Sequence, residues 1–165
     1  MASAAQNELM TRIGPGTAAG AVLRSYWQPV ALSDELDDPR PLRPVNILGE
    51  NLVLFRDPEK GLGLINRACS HSGADLCYGR LEDGGLRCPF HGWLFDVTGQ
   101  CIEQPAEPET STLYKRVKQS SYPVVERNGV IFGYMGEGAP PALPNLDCLT
   151  APCSHSFAFK GLVDC

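Results

Sequence analysis

The sequence predicts an all-β fold of short antiparallel strands with two short helices in front. Three observations carry this. Seventeen Gly and fourteen Pro in 165 residues mark many turns, which favours short strands over long helices. From Val45 onward, runs rich in β-branched and aliphatic residues alternate with turn residues. Asn128-Gly129 falls between two such runs, the strongest short hairpin signal a sequence offers.

The elements follow in chain order. Ser3 can cap a helix over residues 3–12, ended by Ile13-Gly14-Pro15-Gly16. Thr17 can cap a second helix that runs to Tyr26. Trp27-Gln28-Pro29 breaks the pattern, and residues 34–44 are charged and Pro-rich, so they read as a loop. Strands are expected at 45–48, 52–56 and 62–66, with turns at Gly49-Glu50-Asn51 and at 57–61. Residues 121–126 and 130–135 form the Asn-Gly hairpin, 136–145 is a linker, and 154–163 alternates like one more strand. The chain therefore divides into an N-terminal helical segment and linker (1–40), a β domain (41–138), and a linker with one further strand (139–165).

Composition excludes some classes of function. The net charge is −5 and the pI about 5.1, so no nucleic-acid partner is expected, because such proteins carry a basic footprint. An acidic surface suits solubility and docking to a basic protein. No apolar run approaches the roughly 20 residues that span a bilayer. The opening MASAAQNELMTRIGPG lacks an apolar signal core and carries Gln6, Asn7 and Glu8 early, so a cytoplasmic location and no membrane are expected. Seven Cys, at 69, 77, 88, 101, 148, 153 and 165, give an odd count in a chain without a visible leader. A disulfide framework is not expected, and thiols remain for metal.

Two clusters carry the chemistry: Cys69-Ser70-His71 and Cys88-Pro89-Phe90-His91, sixteen residues apart and flanked by Gly73, Gly84, Gly85 and Gly92. Each pairs one thiolate donor with one imidazole. Two tight loops of this kind can grip a [2Fe–2S] cluster from two sides, with two thiolates on one iron and two imidazoles on the other. Neutral imidazoles in place of two thiolates raise the potential into a range of roughly −150 to +300 mV. A zinc site of two Cys and two His is the rival. Such sites more often place Cys-x-x-Cys on one knuckle and a His pair on the other, whereas here the order alternates.

The pattern of Cys69, His71, Cys88 and His91 resembles the Rieske family signature. The wider match is to the oxygenase subunits of aromatic-ring-hydroxylating oxygenases, and within them to the phthalate dioxygenase group. It runs through CPFHGW (88–93), the stretch 49–109 around it, QNELMTRIGPGTAAGAVLRSYWQPVALSDEL (6–36) and YPVVERNGVIFGYMGEG (122–138). The resemblance implies a Rieske [2Fe–2S] fold with two cluster-binding loops. It implies single-electron transfer in a protein that hydroxylates or O-demethylates phthalate-like aromatic carboxylates or aryl ethers with O2. It also implies a flavin/iron–sulfur reductase as donor and a homotrimer of the full-length subunit. A mononuclear non-haem Fe(II) is expected only in a catalytic domain after this chain. That site needs two His and a carboxylate, and the sequence has three His, of which the cluster would take two, leaving His155. The chain is thus expected to be an N-terminal fragment, without catalytic residues and not catalytic alone. A stand-alone Rieske ferredoxin and a Cys2His2 zinc module are the alternatives.

Particular residues refine this. Respiratory Rieske proteins carry an extra Cys in each loop, and a Ser and a Tyr after the second His. Here those positions hold Ala74, Phe90, Trp93 and Phe95, so no bridge forms and a low potential is expected. Many family members have Arg after the first His, where this chain has Ser72. Trp27 and Trp93 read as core, with Trp93 also a candidate shield for the cluster. Cys77 and Cys101 read as small apolar side chains, and Asp75 and Asp83 as solvated or capping. Gly84-Gly85 reads as a turn, since no Gly-Lys-Ser/Thr follows. Cys148, Cys153 and Cys165 read as unliganded thiols, with a second metal site shared with His155 as the alternative.

Overall fold

The computed structural model describes residues 3–37, 39–82 and 84–151. The expected strand at 154–163, His155, Cys153, Cys165 and Asp83 lie outside the described residues. Two helices lead. In α1 (Ala4–Thr11), Ser3 accepts from the Gln6 backbone while the Gln6 side chain accepts from the Ser3 N–H, a capping box. Thr17 caps α2 (Ala18–Arg24) through Gly20 N–H at 3.1 Å. No helix among the described residues is long and apolar enough to cross a membrane.

Ten antiparallel strands follow in three sheets. The first orders β1 (Trp27–Leu32), β10 (Val130–Tyr134) and β9 (Val124–Arg127) side by side. The second is β2 (Leu42–Ile47), β3 (Glu50–Asp57) and β4 (Gly61–Asn66) in sequence order. The third is the meander β5 (Arg80–Glu82), β6 (Gly85–Arg87), β7 (Leu94–Phe95) and β8 (Cys101–Glu103). A one-turn helix, α3 (Asp147–Thr150), ends the described chain. The all-β expectation holds, and so does the Asn-Gly hairpin: Val130 pairs with Arg127, with Asn128 and Gly129 both at positive φ.

Two readings need correction. Trp27-Gln28-Pro29, read as a break, opens a strand, Trp27–Leu32, paired with β10. Pro29 is tolerated because β1 lies at the sheet edge and the register shifts beside it. The first hairpin turns one residue earlier than expected, at Leu48-Gly49, with Ile47 opposite Glu50. Leu48 takes φ 48°, a cost of about 1–2 kcal/mol for a residue with a Cβ. Its side chain is buried in the core, which offsets that cost.

β3 organises the interior. Leu52, Val53, Leu54 and Phe55 are all 0 % exposed, so both faces of the strand are covered. Because side chains alternate, Leu52 and Leu54 join Leu36, Val45, Leu48, Leu64 and Ile131 in one core. Val53 and Phe55 join Ile65, Leu86, Trp93, Phe95, Cys69 and Cys88 in the other. Each such side chain contributes about 1.5–3 kcal/mol by leaving water.

A polar knot fixes the helices to this frame. Arg24 of α2 pairs with Glu50 and donates to Leu48 O at 2.8 Å, and Tyr122 Oη donates to Glu50 at 2.6 Å. The two charged side chains are only 13 % and 16 % exposed. Replacing Glu50 by Ala strands the Arg24 cation, so urea unfolding should show a loss of about 3 kcal/mol. Glu50→Gln, which keeps acceptors for both partners, should lose less.

Candidate metal centre

Two loops emerge side by side, one after β4 and one after β6, and they close identically. In the first, Cys69 N–H donates to Ala74 O at 2.8 Å and Gly73 N–H to Cys69 O at 2.8 Å. In the second, Cys88 N–H donates to Trp93 O at 2.8 Å and Gly92 N–H to Cys88 O at 3.2 Å. Gly73 and Gly92 both have φ 73°, a left-handed conformation that a Cβ disfavours. The matching knuckles explain the glycine at position five of each loop.

Cys69 and Cys88 lie at the base, 2 % and 3 % exposed, in one buried core cluster. His71 and His91 are exposed at the tip, ring centroids 4.5 Å apart at 66°. Thus the structure brings the two imidazoles together at the loop tips and buries both cysteines at the base of the same loops. Among the described residues no three His, Cys, Asp or Glu side chains converge as a single-ion site. Two pairs suit a binuclear cluster, with sulfur ligands on the inner iron and imidazoles on the outer one. Such a cluster takes up and gives back one electron.

Aromatic rings dress the tip. Trp93, 9 % exposed, stacks flat on His71 at 4.4 Å and 10°. Phe90 is 66 % exposed and leans on His91 at 4.0 Å. Trp93 therefore covers one face of the His71 ring while also belonging to the core.

Burial pushes the Cys69 thiol above its ordinary range. Metal uptake must therefore displace a firmly held proton. Burial likewise raises Cys77, to about 11, and Cys101. Cys101 is 0 % exposed and Cys77 packs against the same core, as expected of small apolar side chains. Cys148 is exposed and free.

Three bracing residues went unread in the sequence. Arg67 donates to both oxygens of Asp75 at 2.8 and 2.5 Å, joining the two ends of the first loop. Asp75 also caps the turn Leu76–Tyr78 through Cys77 N–H, the capping role expected of it. Arg87 braces the second loop by donating to Gly92 O at 2.6 Å, held by Glu82 and Glu103 at 2.5 and 2.6 Å. Gln119 reaches the first loop from far along the chain. An Arg directly before Cys88 could have been suspected, but nothing local marks Gln119.

Paired Cys–His knuckles on a small antiparallel meander define an iron–sulfur domain. A model of the Rieske [2Fe-2S] domain matches residues 26–123, and the chain belongs to that family. It thereby carries a [2Fe–2S] cluster. It is 45 % identical over 157 residues to the tert-butanol monooxygenase / tert-amyl alcohol desaturase oxygenase subunit of Aquincola tertiaricarbonis (93 % of this chain, 33 % of the relative). It is 48 % identical over 141 residues to the phenoxybenzoate dioxygenase subunit alpha of Ectopseudomonas oleovorans (85 % and 34 %). Among solved structures, the oxygenase–ferredoxin complex of carbazole 1,9a-dioxygenase superposes with TM-score 0.63 at 32 % identity, covering 73 % of this chain and 31 % of that one. These relatives are oxygenase components, and the chain spans about a third of their length.

The Asp75 carboxyl is held down at about 2 from an ordinary 3.8, first by the hydrogen bond from Arg67. Its stabilising contribution is complete above that ordinary value and is lost as pH falls through about 2. Carboxyl NMR titration should find Asp75 near 2, and Arg67→Ala should return it toward 3.8.

Proposed function

We propose that Cys69, His71, Cys88 and His91 ligate the cluster, and that the chain is the electron-relay domain of an oxygenase subunit. The observation that carries this is the pairing of two imidazoles, 4.5 Å apart at the tips of two matching loops, with two cysteines buried in one core cluster at the base of those loops. The sulfur side is sealed in the core and the imidazole edge faces outward, so an electron enters and leaves by the histidines. The donor is a flavin/iron–sulfur reductase or a ferredoxin, a reading supported by the relative that forms a ferredoxin complex.

The acceptor in this proposal is a mononuclear iron in a part of the protein beyond this chain, so the chain alone transfers electrons and leaves organic substrate unchanged. The full-length subunit forms a homotrimer in the cytoplasm and hydroxylates or O-demethylates an aromatic compound. The phenoxybenzoate relative supports an aryl substrate. By its name the similarly close tert-butanol relative acts on a tertiary alcohol, so the choice of substrate is assigned to the part outside this domain.

Dithionite reduction should produce the rhombic EPR signal of a His-ligated [2Fe–2S] cluster, with about two irons per chain. Cys88→Ser should abolish it. One zinc and no EPR signal after anaerobic iron–sulfide reconstitution would refute the reading.

The midpoint potential should fall near the low end of roughly −150 to +300 mV, since Trp93 and Phe95 offer no hydroxyl to the cluster. Redox titration checks this, and a midpoint well above zero would count against it.

A further inference from the structure

We infer that Gln119 is a positioning residue for the cluster: it fixes the peptide between the first two ligands, and with it the orientation of the backbone around the Cys69 sulfur. The inference rests on the ligand assignment proposed above.

Gln119 is 3 % exposed and its amide is fully engaged on one short stretch of chain. Oε1 accepts from Ser70 N–H at 3.1 Å, and Nε2 donates to Asn66 O at 3.0 Å and to Ala68 O at 2.5 Å. Ser70 stands between Cys69 and His71. With Ser70 N–H held by Gln119, the stretch of backbone that carries Cys69 and His71 is fixed in one orientation. Hydrogen bonds to a ligating sulfur stabilise the more negative, reduced state and raise the potential. The side chain that orients this peptide therefore acts on the potential without touching the iron.

The backbone of Gln119 is anchored from the other side. Its N–H donates to Gly99 O at 2.6 Å. Two residues on, Ser121 Oγ donates to Thr98 O at 2.6 Å. Asn66 N–H donates to Ser120 O at 2.8 Å and Tyr122 N–H to Leu64 O at 2.9 Å. The segment is thus clamped between β4, which leads into the first loop, and the β7–β8 turn, which follows the second. A Cβ at Gly99 would come within 2.4 Å of Gln119 O, so close approach here requires glycine. Gln119 ties the first loop to the β7–β8 turn.

Gln119→Met keeps bulk and burial but removes all three hydrogen bonds. In the cluster-loaded protein it should lower the midpoint potential, broaden the reduced EPR signal, and speed iron loss to a chelator about tenfold, the lower end of the effect of losing an outer-shell partner. Gln119→Glu keeps an acceptor for Ser70 N–H and loses both donors. It should retain a narrow EPR signal near the parental g values, with a midpoint lowered by the added charge. A Gln119→Met protein whose only change is a lower unfolding midpoint, with EPR and potential as in the parent, would overturn the inference. If Gln119→Met does not fold, Gln119→Asn, whose amide is one methylene shorter and is drawn off Ser70 N–H, takes its place, and a parental potential and EPR signal there overturn the inference instead. A parent protein without the rhombic signal refutes the cluster assignment, and is distinguishable because it fails before any variant is compared.

Discussion

The reciprocal pair of backbone hydrogen bonds on each cysteine is the constraint the site depends on. In each loop the cysteine N–H and C=O are both spent inside the loop, at 2.8 Å and at 2.8 or 3.2 Å. A backbone so closed cannot rotate its cysteine away from the core. Both cysteines then belong to the buried core that holds Val53, Phe55 and Phe95, whose burial is complete. The histidines, two residues on in one loop and three in the other, emerge beyond the closure at the exposed tip. Inner sulfur and outer nitrogen follow from the same turn, used twice.

β3 makes that turn affordable in the protein as a whole. With both its faces covered, the strand separates a core beneath the ligand loops from a core beneath the β1–β10–β9 sheet. Leu64 and Ile65 of β4 split between the same two cores. The loop after β4 thus departs from a strand whose register is fixed on both sides, since a one-residue slip would exchange every side chain between cores.

The strongest local signals were legible in the sequence. Ser3 and Thr17 cap the helices as read, and the Asn128-Gly129 hairpin is in register. The paired Cys-x-His and Cys-x-x-His spacings named the two imidazoles that meet at the loop tips and the two cysteines buried at their base. What escaped depends on long-range partners. β1 holds a Pro and reads as strand only once β10 lies beside it. The two- and three-residue strands β5 to β8 are too short to show periodicity, and they are held by one another and by Arg87. Gln119 lies 49 residues from the Ser70 amide it accepts from, and an amide side chain carries no signature of such a role.

The two imidazoles are not equivalent, and the difference bears on the direction of electron flow. His71 is confined by the flat stack with Trp93, by the edge of His91 and, through Ser70, by Gln119. His91 meets its sequence neighbour Phe90, itself largely exposed, and its loop is braced through Gly92 O rather than through the residue before it. A ligand locked by an indole on one face presents a fixed edge, suited to a partner held at constant distance. A ligand flanked by an exposed aromatic presents a larger and more yielding surface, suited to a donor that docks and leaves. In the proposed ligation, the two histidines would present a rigid and a more open edge of one cluster.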